Sequence, residues 1–173
     1  RLRVDIVLNN LVGWAHTTGR VRLLSDGTPW RPIIHIEDIA RAFLAVLEAS
    51  REVVHDRAWN VGRTAENYQI RQLAEIVAAT VPGTAVELAA GAAPDQRNYR
   101  VSCERISRDL PGFQPRWDAR QGARELYNAY RAEGLTFERF DGVAYKRLAA
   151  IQTHQRAGHL DAALRWIAAP VAV

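Results

Sequence analysis

The sequence predicts a small α/β unit, and three observations carry that reading. Short apolar runs at Val21–Leu24, Ile33–Ile36 and Ala58–Gly62 have the length and the bounding turns of strands. Around them lie longer stretches whose apolar residues recur at helical spacing. The two kinds alternate only loosely, with no clean strand–helix series, so a small mixed sheet with several helices is expected, not a complete doubly wound sheet.

The elements follow in order. Val4, Val7, Leu8, Leu11, Val12 and Ala15 predict a first helix, already under way where the chain begins, and Gly19 lies where it would stop. Val21–Leu24 alternates weakly and ends in the Asp26-Gly27 turn, as a short strand does. Ile33–Ile36 is too continuously apolar for an exposed strand. From Asp38 to Ala49, residues Ile39, Ala42, Phe43, Val46 and Leu47 predict one inward helical face. Ala58–Gly62 reads as a strand leaving into a loop. Arg71–Val81 is an amphipathic helix with Leu73, Ile76, Val77 and Val81 inward, stopped by Pro82-Gly83. Val86–Leu88 is a candidate strand, Ala89–Asn98 a loop of small residues, and Cys103–Leu110 a short helix ended by Pro111-Gly112. Asp118 with Gln121 makes a capping-box start for a helix to about Arg131. Leu135–Val143 reads as a linker, Ala144–Arg156 as a helix, and Leu160–Trp166 as a last short helix after Ala157-Gly158.

Composition narrows the classes of function. Hydrophobic residues at 48% and charged residues at 24% are those of a globular domain able to bury a core. No apolar run approaches the roughly 18 residues of a membrane span, and no signal-peptide pattern opens the chain, so a cytoplasmic protein is expected. The single cysteine, Cys103, excludes an internal disulfide and reads as a reduced thiol. There is no methionine, even at position 1, which reads as a fragment or processed piece. Net charge is +4, but acidic residues are interspersed with the arginines and no basic block forms, which argues against nucleic acid as partner. His16, His55, His154 and His159 show no metal-ligand spacing with Cys103 or a carboxylate pair.

The stretch that says most is Asp26-Gly27, then Arg31-Pro32-Ile33-Ile34-His35-Ile36-Glu37-Asp38, followed later by Trp59-Asn60-Val61-Gly62. A turn, one arginine, an apolar run and an acidic helix start place a guanidinium at the mouth of a sheet, where it can fork onto a phosphate or carboxylate. These blocks resemble the extended short-chain dehydrogenase/reductase family, the NAD-dependent nucleotide-sugar epimerases and dehydratases. Members carry a glycine turn, then Arg-Asp-Phe/Tyr-Ile-His-Val-x-Asp, then Tyr-Asn-Leu/Val-Gly. Asn9-Asn10-Leu11 is similar to the family's helix start over the nucleotide, Pro94-Asp95-Gln96-Arg97 to its Pro-Gly-Asp-x-Arg, and Leu110–Pro115 to its Leu-Gly-Phe/Trp-x-Pro turn. Pro32 departs from the usual aspartate, and Ala92-Ala93 stand where many members have an arginine.

The resemblance implies a fold and a division of labour: the C-terminal, substrate-binding portion of an extended Rossmann-type enzyme over 1–132, and a helical C-terminal extension over 133–173. The family's dinucleotide site needs a glycine-rich turn, and none of the 11 glycines falls into Gly-x-x-Gly-x-x-Gly. Its catalysis needs Tyr-x-x-x-Lys, and the sole lysine, Lys146, has Gly142 four residues before it. No catalytic and no cofactor-binding residue is therefore expected here. NAD or NADP is implied for the parent enzyme, with the N-terminal Rossmann half as partner and a homodimer as the parent's state.

For the substrate, the resemblance makes Arg31 the diphosphate clamp, and a structural ion pair to Glu37 or Asp38 is the alternative. It sets Asn10 and Leu11 at the sugar-diphosphate side and Arg22 and Leu24 at the base edge. Arg97 is placed toward phosphate or ribose, with Arg100 and Arg105 making a solvated basic face as the alternative. Tyr99 reads as packing, His35 as a core histidine, and Trp30 as a candidate lining of the cleft. Two other functions stay open from the residues alone: a non-catalytic interaction domain, and a helix-turn-helix module reading DNA with Arg71–Val81. Glu75 in the middle of that helix argues against the latter.

Overall fold

The computed structural model describes residues 3–93 and 97–167. Helix α1, Val7–Thr18, packs on strand β1, Arg20–Ser25. Strand β2, Trp30–Pro32, leads into helix α2, Ile36–Glu48, and the single helical turn α3, Arg51–Val54. Strand β3, Asn67–Gln69, runs directly into helix α4, Ile70–Thr80, and strand β4 spans Ala85–Ala93. Helices α5, Glu104–Asp109, and α6, Ala119–Ala132, follow, then the short α7, Phe137–Phe140, and α8, Arg147–Arg156. Among the described residues there are two small sheets. β1 pairs with β4 in parallel, and β2 pairs with β3 antiparallel, Trp30 opposite Gln69 and Arg31 opposite Tyr68.

The main core is helical on one side and β1 on the other. Val12, Val21, Leu73, Val77, Ala119 and Ala123 are fully buried in it. α1 stops where Gly19 takes the left-handed conformation (φ 69°) and its N–H donates to the Ala15 carbonyl. The Asp26-Gly27 turn is locked onto α4: the Arg71 N–H donates to the Gly27 carbonyl at 3.0 Å, and a Cβ on Gly27 (φ 78°) would lie 2.8 Å from Arg71 Cβ. α6 starts with the predicted capping box, the Asp118 carboxylate accepting from the Gln121 N–H at 2.8 Å. A second cluster gathers Ala42, Cys103, Ile106, Leu110 and Phe113 between α2 and α5. Burial there pushes the Cys103 thiol up, as expected of a packing thiol.

Several expectations are corrected. Residues 4–6 form a turn and α1 begins at Val7, one turn later than the helical spacing from Val4 suggested. The strand lies at Trp30–Pro32, not Ile33–Ile36, because His35 caps α2: its Nδ1 accepts from the Glu37 N–H at 3.2 Å and Ile36 is already helical. Phe43 and Leu47 are exposed, 69% and 81%, because Asp38, Ala42 and Val46 set the inward face. Ala58–Gly62 is irregular, held by Trp59 Nε1 donating to Asp109 Oδ2 (2.9 Å) and Asn60 Nδ2 to the Ser102 carbonyl (3.1 Å). β4 runs on through Ala89–Ala93, where a loop was expected. The region expected as a linker contains α7, and its Phe140 is 2% exposed, set against Gly13 of α1. Residues 160–166 form no helix; Leu160 and Trp166 make an antiparallel bridge.

Candidate functional site

The expected substrate residues fall in different places. Arg31 lies in β2, and its side chain is fixed from two directions. One guanidinium nitrogen donates to the Trp30 carbonyl at 2.8 Å and to the Arg97 carbonyl, and the group sits 5.6 Å from the centre of the Tyr99 ring. The 97–101 segment comes to Arg31 because buried Asn67 in β3 stitches it down. Asn67 Oδ1 accepts from the Val101 N–H at 2.8 Å, and its Nδ2 donates to the Val101 carbonyl at 2.9 Å. Asn98 Oδ1 then accepts from the Trp30 N–H at 3.0 Å. In this extended segment Arg100 stacks on Trp30, guanidinium to ring centre 4.5 Å. The half-buried Arg31 and the exposed Arg100 thus lie beside the Tyr99 and Trp30 rings, with the backbone of Arg97 against Arg31. Pro94, Asp95 and Gln96, which precede Arg97, lie outside the described residues.

The residues proposed as ion-pair partners of Arg31 are engaged elsewhere. Asp38 is 1% exposed and accepts from the N–H groups of Arg116 and Trp117, both at 2.9 Å, and from Arg41. Burial raises its pKa, but the Arg116 and Trp117 N–H bonds and Arg41 outweigh that and leave it below the ordinary carboxylate value. Glu37 accepts from Trp117 Nε1 at 2.9 Å and faces Arg41 at 3.3 Å. His35 stacks on Trp117 at 3.9 Å and meets Glu125 through Nε2 at 2.5 Å. It caps α2 and bridges α2 to α6.

Asn10 and Leu11 lie in α1. The Asn10 N–H closes the first helical turn on the Ile6 carbonyl at 2.9 Å, and its Nδ2 donates to the Val4 carbonyl at 3.0 Å. Leu11 is buried in the main core. Asn10 lines an open groove of about 620 Å³ between residues 3–5 and α8. Arg22, Leu24, Arg31 and Arg97 do not line it, so the six residues do not converge on one cavity. Arg22 and Leu24 point outward from β1, Leu24 81% exposed. Sequence reasoning missed Asn67, Asn98 and the Arg100–Trp30 stack. Asn98 beside Arg97 was the available signal; the role of Asn67 depends on a contact 34 residues away.

Of the glycines with left-handed φ, Gly19 and Gly27 cap or turn into packed helices, and no strand-to-helix glycine cradle exists among the described residues.

Residues 2–62 match the family model described as the NAD dependent epimerase/dehydratase family. The fold is shared with Rossmann-type epimerases, dehydratases and dehydrogenases. RMD from Pseudomonas aeruginosa, solved with NADPH, is 20% identical with a TM-score of 0.59, over 76% of this chain and 44% of that one. TunA, an NAD-dependent NDP-hexosamine 5,6-dehydratase of tunicamycin biosynthesis, is 17% identical with a TM-score of 0.62, over 75% and 41%. The L-threonine dehydrogenase of Phytophthora infestans gives 13%, 0.62, 77% and 44%. The chain thus spans less than half the length of the solved structures it matches. An epimerase/dehydratase-type α/β fold, covered in part, is the class that fold and family match define. Among the described residues, no helix is long and apolar enough to cross a membrane.

Proposed function

We propose that this chain is the nucleotide-sugar-binding part of an NAD(P)-dependent epimerase/dehydratase, its Arg31–Arg97–Arg100 edge taking the diphosphate. The observation that carries the reading is the pinning of Arg31 between two segments that both supply arginines, within a chain whose residues 2–62 match the epimerase/dehydratase family. A guanidinium pre-oriented by backbone carbonyls spends little entropy on meeting a phosphate. Hydride transfer and its acid/base pair would be supplied by a further part of the fold, because neither Tyr-x-x-x-Lys nor the glycine-rich Gly-x-x-Gly-x-x-Gly turn occurs here. That part would cover the exposed α2 stripe of Ile36, Phe43, Leu44 and Leu47. Residues 1–132 would hold the substrate, with 133–173 as an extension braced on α1 through Phe140.

The test is calorimetric titration with UDP, dTDP and NAD. Nucleoside diphosphates should bind weakly and NAD should not. Arg31→Ala should lose roughly 1.5–3 kcal/mol of diphosphate affinity, the scale of a charge-assisted hydrogen bond, and Arg31→Lys should regain only part. NAD binding as tight as UDP binding, or an Arg31→Ala protein with unchanged UDP affinity, would refute the reading.

A further inference from the structure

The C-terminus of α8 ends in a backbone arrangement that brings two imidazoles together. Ala157 caps the helix, Gly158 takes φ 70°, the Gly158 N–H donates to the Gln155 carbonyl at 3.0 Å, and the His159 N–H donates to the His154 carbonyl at 2.9 Å. This pair of bonds is the Schellman stop, which sets the third residue before the cap beside the second residue after it. An apolar contact frequently accompanies this stop. Here those two positions hold His154 and His159, whose Nδ1 atoms lie 3.3 Å apart.

The pair is held by more than the helix stop. The His159 carbonyl accepts from the Ile167 N–H at 3.0 Å, Leu160 bridges Trp166, and the Asp161 N–H donates to the Arg165 carbonyl at 3.0 Å. The Trp166 ring stands edge-on to His154 at 5.2 Å. Two ring nitrogens 3.3 Å apart can share one N–H, with the donor set by the tautomers. They match the separation of two ligands on one tetrahedral ion, because metal–nitrogen bonds of about 2.0–2.1 Å at a tetrahedral angle put the nitrogens about 3.3–3.4 Å apart.

We propose that His154 and His159 form a two-histidine site for a nitrogen-preferring divalent transition-metal ion, Zn²⁺, Ni²⁺ or Cu²⁺, bound through both Nδ1 atoms. Both side chains are exposed, so the ion has an entry path and water can complete its shell. Among the described residues no cluster of three or more His, Cys, Asp or Glu side chains forms a metal site, so this is an open site with two protein ligands. Imidazole ligands favour these ions over Mg²⁺ and Ca²⁺, which prefer oxygen.

Tag-free chain is titrated calorimetrically with ZnCl₂, NiCl₂ and MgCl₂. One Zn²⁺ or Ni²⁺ per chain and no Mg²⁺ binding are expected. His154→Ala and His159→Ala should each weaken Zn²⁺ binding tenfold or more, while His55→Ala leaves it unchanged. Circular dichroism of each variant checks that it folds, and imidazole NMR signals read the two rings directly. Zn²⁺ broadening or shifting only the His154 and His159 signals supports the site. Zn²⁺ affinity equal in wild type and the double variant, or lost equally in His55→Ala, would overturn it.

Discussion

Asp38 offers the most direct test of how this fold holds its parts. The carboxylate is 1% exposed at the start of α2, and it accepts from two backbone N–H groups that belong to the loop entering α6. Asp38→Ala strands the N–H groups of Arg116 and Trp117 without an acceptor, at about 1–3 kcal/mol each. Arg41 is half-exposed and keeps Glu37, so its loss adds little. The expected cost is about 3–5 kcal/mol, a large share of the roughly 5–15 kcal/mol typical of a domain. Asp38→Asn keeps one acceptor but turns an amide donor toward the other N–H, for about half that loss. Urea unfolding followed by tryptophan fluorescence reads it, since Trp117 is one of the partners. The folded carboxyl lies below its ordinary value, so its contribution is present above about pH 4 and is lost as pH falls through the lower folded pKa. Asp38→Asn should remove that acid-sensitive component. A loss under 1 kcal/mol in Asp38→Ala would show that the α2–α6 junction is held by packing instead.

Gly13→Ala drives a Cβ into the Phe140 ring, and overpacking there should outweigh the helix-propensity gain, for a net loss of about 1–2 kcal/mol in urea unfolding. Proteolysis should at the same time reach 137–140 sooner, and an unchanged cleavage pattern would detach α7 from the core. Phe43→Ser with Leu47→Ser removes the centre of the exposed α2 stripe and should lower self-association of the chain in sedimentation without lowering stability, because neither side chain is packed. Equal sedimentation of variant and wild type across rising concentration would mean the stripe attracts no partner.

The helices of the main core could be read in advance because their signals are local. Gly19 stops α1 through its own backbone, Asp118 and Gln121 cap α6 three residues apart, and the inward residues of α4 follow helical spacing. The strands could not be read so easily, because their length is set by a partner. Ala89–Ala93 has no strand propensity, yet β4 continues through it as far as the pairing of Ala93 with Ser25 of β1. Ile33–Ile36 misleads in the opposite way. Its apolar continuity suggested a strand, while a histidine side chain had already ended the extended segment by capping α2.

The same contrast governs the site. Arg31 could be singled out because a turn, one arginine and an acidic helix start lie within about a dozen residues. What orients it could not, since the Arg97 carbonyl reaches it from 66 residues away, on a segment that Asn67 and Asn98 hold through Val101 and Trp30. Asn10 shows the cost of reading position without capping: its amide is consumed within α1 and by Val4, so a polar side chain near a helix start stabilises the entry turn. His154 and His159 invert the lesson. Their spacing has no metal signature as a string, but a glycine between them builds the helix stop that sets their nitrogens 3.3 Å apart. Residue type names the chemistry available; the backbone hydrogen bonds decide which of those groups can act together.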